Sequence, residues 1–119
     1  MAENRILTFT SGLWNGIFSQ PEADFTIISS GRNGTKISRR VHKVVVASQS
    51  EFFRGLFDHC HDLHIEIPDL KFEILEVILE YFYTRKLPRY LKVKKIELKN
   101  WADFFLATKL VNDIDLRYF

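Results

Sequence analysis

The stretch KVVVASQSEFFRGLF, residues 43–57, changes character midway and so restricts what can surround it. Its three valines suit a strand. Ala47, Ser48 and Ser50, followed by Phe52, Phe53, Leu56 and Phe57 at helical spacing, instead predict two short helices, the second capped by Ser50. Upstream, DFTIIS (24–29) is rich in strand-forming residues, and Asn33-Gly34 tolerates positive φ in a tight hairpin. KISRRV (36–41) then returns as the second strand. A β-hairpin running into a helical hairpin is the expected frame, with His42 at the junction.

The flanking segments extend this into one alternating α/β series. LHIEIPD (63–69) places Leu63, Ile65 and Ile67 inward and His64 and Glu66 outward, a half-buried strand expected to stop at Pro68. Asp69 is positioned to cap the next helix. In that helix Phe72, Leu75, Ile78, Leu79 and Phe82 form a core face, Glu73, Glu76 and Glu80 face water, and the end falls near Tyr83-Thr84. NWADFFLATKLV (100–111) reads as a last helix with Trp101, Phe104, Phe105, Ala107 and Leu110 mostly inward. Near the start, Leu13, Trp14, Ile17 and Phe18 make one apolar helical stripe that Pro21 ends, preceded by a short strand at residues 6–9.

A chain of 119 residues, 46% hydrophobic and 27% charged, is one domain able to bury a core without disulfides or metals. Cys60 is the sole cysteine, which excludes an intramolecular disulfide and suits a cytoplasmic or nuclear setting. No apolar run approaches the roughly 18 residues of a membrane span, and no signal-like apolar region opens the chain. Charge is segregated: residues 51–80 hold eight acids against Arg54 and Lys71, whereas 85–99 hold seven bases against Glu97. Opposed blocks fit a complementary protein partner or a second copy better than a polyanion. Nucleic-acid binding through 85–99 is the weaker alternative, because only Tyr90 interrupts the run as a base-stacking aromatic.

Catalytic and metal readings find little support. His42 could serve Ser48 or Ser50 as a base, but the sequence carries no glycine-rich elbow to build an oxyanion hole. His59, Cys60, His61 and His64 supply zinc-like ligands, yet all lie on one short segment rather than on two separated ligand pairs. A solvated polar loop is expected, with no metal, no cofactor and no enzymatic activity.

Several blocks together resemble the BTB/POZ domain: Asp24-Phe-Thr-Ile; Val41-His42-Lys43 through Ala47-Ser48-Gln49-Ser50-Glu51-Phe52-Phe53; Ile65-Glu-Ile67; Phe72-Glu-Ile-Leu; Tyr81-Phe-Tyr83-Thr84; and Ala107-Thr-Lys-Leu110. The resemblance covers nearly the whole chain. Arg85 stands where the pattern has glycine after Tyr-Thr, and Thr108 where aspartate is frequent. It implies an α/β fold, residues 1–119 as a single domain, with a small three-stranded sheet flanked by helical hairpins and residues 5–20 as a dimerisation element. It implies a protein–protein interaction module that homodimerises and acts as substrate adaptor for a cullin-based ubiquitin ligase. A module resembling the Skp and elongin C adaptors, or a scaffold or transcription-regulator module without cullin binding, is the runner-up.

By the same resemblance, Ile6, Phe9, Leu13, Trp14, Ile17 and Phe18 line the dimer interface, with Lys43 near Asp24 at its surface. Phe53, Leu56, Phe57, Asp58 and Asp62 meet the cullin, with Tyr83 and Thr84 nearby. The nearest equivalent to the family's hydrophobic-x-Glu triplet is Cys60-His61-Asp62. His42 is then a structural residue that satisfies local backbone groups.

Overall fold

A computed structural model describes residues 23–118. Strand β1 (Phe25–Ser30) pairs antiparallel with β2 (Lys36–Val41), from Phe25 opposite Val41 to Ser30 opposite Lys36. Period-2 alternation buries Phe25, Ile27 and Ser29 on one face of β1. The connection is longer than a two-residue hairpin loop. A 3-10 turn (Arg32–Gly34) fills it, Asn33 (φ 59°) and Gly34 (φ 76°) both take left-handed backbone, and the Gly31 N–H closes on the Thr35 carbonyl at 2.7 Å. A Cβ at Gly31 would sit 2.6 Å from the ends of the Ile37 and Thr35 side chains, so a larger residue there would need those side chains to shift.

The helical hairpin forms as expected. Helix α1 (Lys43–Gln49) ends at Ser50, which caps α2 (Glu51–His59) by accepting the Phe53 N–H at 3.1 Å. Such a cap stabilises by about 1 kcal/mol. The Ser50 hydroxyl is itself fully buried and donates to the Phe105 carbonyl at 2.6 Å.

Strand β3 (His64–Lys71) lies parallel to β1, giving the order β2-β1-β3 among the described strands. It does not stop at Pro68. The proline falls where the register slips, between Glu66 opposite Ile28 and Lys71 opposite Ser30, on the outer strand among those described. No ladder N–H is needed at such a position. Leu63 is 68% exposed rather than inward, because it precedes the strand. Asp69 sits inside β3, so it cannot cap the helix that follows, α3 (Phe72–Thr84), whose N-cap is Lys71.

Helix α3 carries the middle of the core: Ile74, Leu75, Ile78, Leu79, Tyr81 and Phe82 are buried, while Phe72 is only half-buried. Glu76 does not face water. It forms a two-pronged ion pair with buried Arg39 of β2, 2.8 Å from Nε and 2.6 Å from Nη2. The helix ends at Thr84, and Arg85 takes left-handed backbone (φ 63°) while its N–H bonds the Tyr81 carbonyl at 2.7 Å.

The expected single last helix is two: α4 (Lys95–Phe104) and α5 (Thr108–Arg117). Leu106 breaks it with φ 54°, and Phe104 is 49% exposed rather than inward. The break turns carbonyls toward α2: Phe105 accepts from Ser50 and the Phe52 N–H, and Leu106 from the Glu51 N–H. The open N-terminus of α2 is thereby satisfied.

Candidate interaction site

Asp24 precedes β1 and presents its carboxylate to the start of α1, accepting the Lys43 N–H at 2.8 Å. This is helix capping from a residue 19 positions away, and it brings Asp24 and Lys43 together as expected. The Lys43 ammonium lies 5.3 Å from the Phe57 ring centroid and 5.9 Å from that of Phe25, and those two rings meet edge-on at 4.9 Å. Lys43, assigned to one interface, therefore touches Phe57, assigned to the other.

Residue 42 is anchored from another quarter than expected. The His42 N–H donates to the Tyr83 hydroxyl at 2.8 Å, and Nδ1 is also 2.8 Å from that oxygen. Its partner is a side chain of α3, not the local backbone. Burial pushes the Tyr83 hydroxyl up to about 12, with the Asp24 charge adding and the His42 N–H opposing. Tyr83 is thus neutral at physiological pH and stays available for hydrogen bonding. His42 Nε2 is buried, with no hydrogen-bond partner among the described residues. The two serine hydroxyls donate elsewhere, Ser48 to the Val45 carbonyl at 2.7 Å and Ser50 to that of Phe105.

Beside this anchor, α1 and the end of α3 enclose an open cleft of about 520 Å³ lined by His42, Val44, Val45, Ser48, Phe82 and Tyr83, with Arg85 at its margin. Val44 is 76% exposed. The sequence gives no sign of this cleft, since a valine run alone does not tell which member turns outward.

The other assigned residues divide. Phe53 is 1% exposed and stacks on Phe105 at 5.2 Å, so it belongs to the core and presents no surface to a partner. Leu56 and Phe57 are half-buried at the end of α2, and Asp58 and Asp62 are exposed. Thr84 is spent on the helix end, donating to the Glu80 carbonyl at 2.7 Å and accepting the Lys86 N–H at 3.2 Å. Ile6, Phe9, Leu13, Trp14, Ile17 and Phe18 lie outside the described residues. Among the described residues no three His, Cys, Asp or Glu side chains converge to hold a metal ion. The basic run is partly committed internally, since Lys95 and Lys99 both pair with Asp115.

A three-stranded sheet backed by helical hairpins, with an apolar cleft beside α1 among the described residues, defines an α/β interaction module. A family model for the BTB/POZ domain matches residues 17–114, and the chain belongs to that family, whose domains mediate protein–protein interactions. Solved structures share the fold. The BTB domain of zebrafish PATZ1 is 23% identical with a TM-score of 0.67, covering 87% of this chain and 82% of its own. The BTB (Tramtrack and Bric a brac) domain of human Gigaxonin is 19% identical with a TM-score of 0.67, covering 95% of this chain and 87% of its own. No curated protein sequence matches the chain.

Proposed function

We propose that this chain is a homodimeric interaction module that serves as a substrate adaptor for a cullin-based ubiquitin ligase, in the cytoplasm or nucleus. The observation that carries the dimer is the open face of α1, where Val44 stands 76% exposed over an apolar cleft. A valine left in water forgoes about 1.5–3 kcal/mol that a partner surface would recover. The stripe Leu13, Trp14, Ile17 and Phe18 is the apolar element of the same chain suited to cover it from a second copy, and Ile6 and Phe9 suit pairing with a partner's sheet edge. Light scattering at about 30 µM, where specific dimers of micromolar Kd are assembled, should give a dimer. Trp14→Asp with Phe18→Asp should give a folded monomer. A wild-type monomer would reject the dimer, and an unfolded double variant would assign the stripe to its own domain.

The adaptor part is supported by the end of α2, where Leu56 and Phe57 keep partial exposure next to exposed Asp58 and Asp62, followed by Leu63 at 68% exposure. Half-exposed apolar groups beside carboxylates make the mixed surface that specific protein interfaces use. Titration calorimetry with a purified cullin N-terminal domain should show binding, weakened about tenfold by Leu56→Ala with Asp58→Ala. Absence of heat would leave a scaffold or transcription-regulator module without cullin contact.

A further inference from the structure

Arg85 occupies a position where its backbone is at a disadvantage. At φ 63° and ψ 23° it caps α3 in the left-handed region, which glycine adopts freely and arginine does not. Backbone at a disadvantage of this kind directs attention to what the arginine side chain does. That side chain is also held in place: with the Gln49 amide oriented so that its oxygen faces the guanidinium, Nε and Nη2 donate to it at 2.8 and 2.5 Å.

Arg85 also lines a cleft of about 490 Å³ between the end of α3, the connector after it and the last turns of α5. Lys86 and Arg117 line the same cleft, and none of these three cations forms an ion pair among the described residues. Among the described lining residues the one carboxylate, Asp113, accepts a hydrogen bond from the Tyr81 hydroxyl. Three cations against one carboxylate leave the described lining with a net positive charge. Leu87 forms an apolar wall, and Leu116, 74% exposed, forms the lip.

We infer that this cleft binds an oxyanion carried on a peptide, a carboxylate or a phosphoryl group flanked by an apolar side chain. Two guanidinium groups and an ammonium supply charge-assisted donors that either oxyanion can accept. The leucines supply the adjoining apolar contact, and the volume suits one or two side chains rather than a folded surface. A nucleic acid fits less well, because the only aromatic among the described lining residues, Tyr81, is 1% exposed and offers no face for a base. The site adjoins the α1 cleft through Arg85 but depends on neither dimerisation nor cullin binding.

The test uses three fluorescent hexapeptides of one sequence around a central leucine: one with a glutamate pair, one with phosphoserine in its place, and one with glutamine. At least one anionic peptide should bind the full chain about tenfold more tightly than the glutamine peptide, and the tighter of the two identifies the source of the oxyanion. Arg85→Gly with Arg117→Gln should lower that affinity at least about tenfold. Arg85→Gly relaxes the left-handed backbone, so the thermal midpoint should not fall and lost binding cannot be ascribed to unfolding. Lys92→Gln, on the connector outside the cleft, should bind as the wild type does. Equal affinity for all three peptides, no binding at millimolar concentration, or unchanged binding in the double variant would overturn the inference. Tighter binding of a single-stranded oligonucleotide that displaces the peptide would overturn it in favour of nucleic acid.

Discussion

Replacing Phe53 by alanine is expected to destabilise the domain by about 4 kcal/mol, the range found for emptying a buried aromatic site. The ring stacks on Phe105 at 5.2 Å and on Phe57 at 5.9 Å, and meets Phe52 edge-on at 5.2 Å. Phe105 belongs to the break between α4 and α5, while Phe57 reaches Phe25 at the start of β1. Phe53 is therefore where the helical hairpin, the sheet and the C-terminal helices are joined, and neighbours fixed by three elements cannot collapse into the void. A domain of this size has about 5–15 kcal/mol in total, so the variant should unfold at a markedly lower urea midpoint with an unchanged slope. Phe53→Leu keeps most of the volume and should cost about 1.5 kcal/mol or less. A loss below 1 kcal/mol for the alanine variant would return Phe53 to the role of a partner contact.

What the sequence made legible were features carried by neighbouring residues. The Asn33-Gly34 turn, the Ser50 cap and the end of α3 at Thr84 depend on side chains within a few positions of the backbone they control. The features that escaped are settled by distant groups. Nothing in ADFFLATK marks a helix break, since it holds neither glycine nor proline; the break forms because the Phe105 and Leu106 carbonyls gain donors from the start of α2. The capping carboxylate of α1 comes from Asp24, a whole β-hairpin earlier in the chain, whereas Asp69, three residues before α3, is absorbed into β3.

At the candidate site the same division holds. The Asp24–Lys43 proximity followed from the family resemblance, and the polar, structural character of His42 was readable. Its partner Tyr83, 41 positions on, was not, because a hydrogen bond between elements leaves no periodic trace. The one local clue to a further site was Arg85 in place of glycine. Its meaning needed the left-handed backbone and the converging cations, and only the folded chain displays both.

The Arg39–Glu76 pair yields the second large effect, and its sign depends on pH. Arg39 is 7% exposed, its guanidinium lies 5.5 Å from the Phe72 ring centroid, and it grips Glu76 with two nitrogens. Burial nevertheless holds the Glu76 carboxyl above its usual range, with the Arg39 charge and hydrogen bond opposing and the Glu80 charge adding to the rise. The pair therefore offsets only part of the desolvation that both groups suffer. Arg39→Met leaves a buried carboxylate with no counter-charge from that residue, and should destabilise the domain by about 3 kcal/mol at pH 7. Removing the cation raises the Glu76 pKa further in the folded state, while the unfolded value stays ordinary. A carboxyl with a raised folded pKa gives its full stabilisation below the unfolded pKa and loses it as pH rises through the folded one. The cost of Arg39→Met should accordingly shrink as pH falls toward the ordinary carboxylate value near 4.5 and grow toward neutrality. Adding Glu76→Gln to Arg39→Met should recover much of the loss at pH 7 and flatten the pH dependence, because the neutral amide removes the buried charge. Urea midpoints of the wild type and both variants at pH 5 and pH 7 test this. A penalty for Arg39→Met that is the same at both pH values would mean that the loss comes from the arginine's packing on Phe72 and not from the charge left on Glu76.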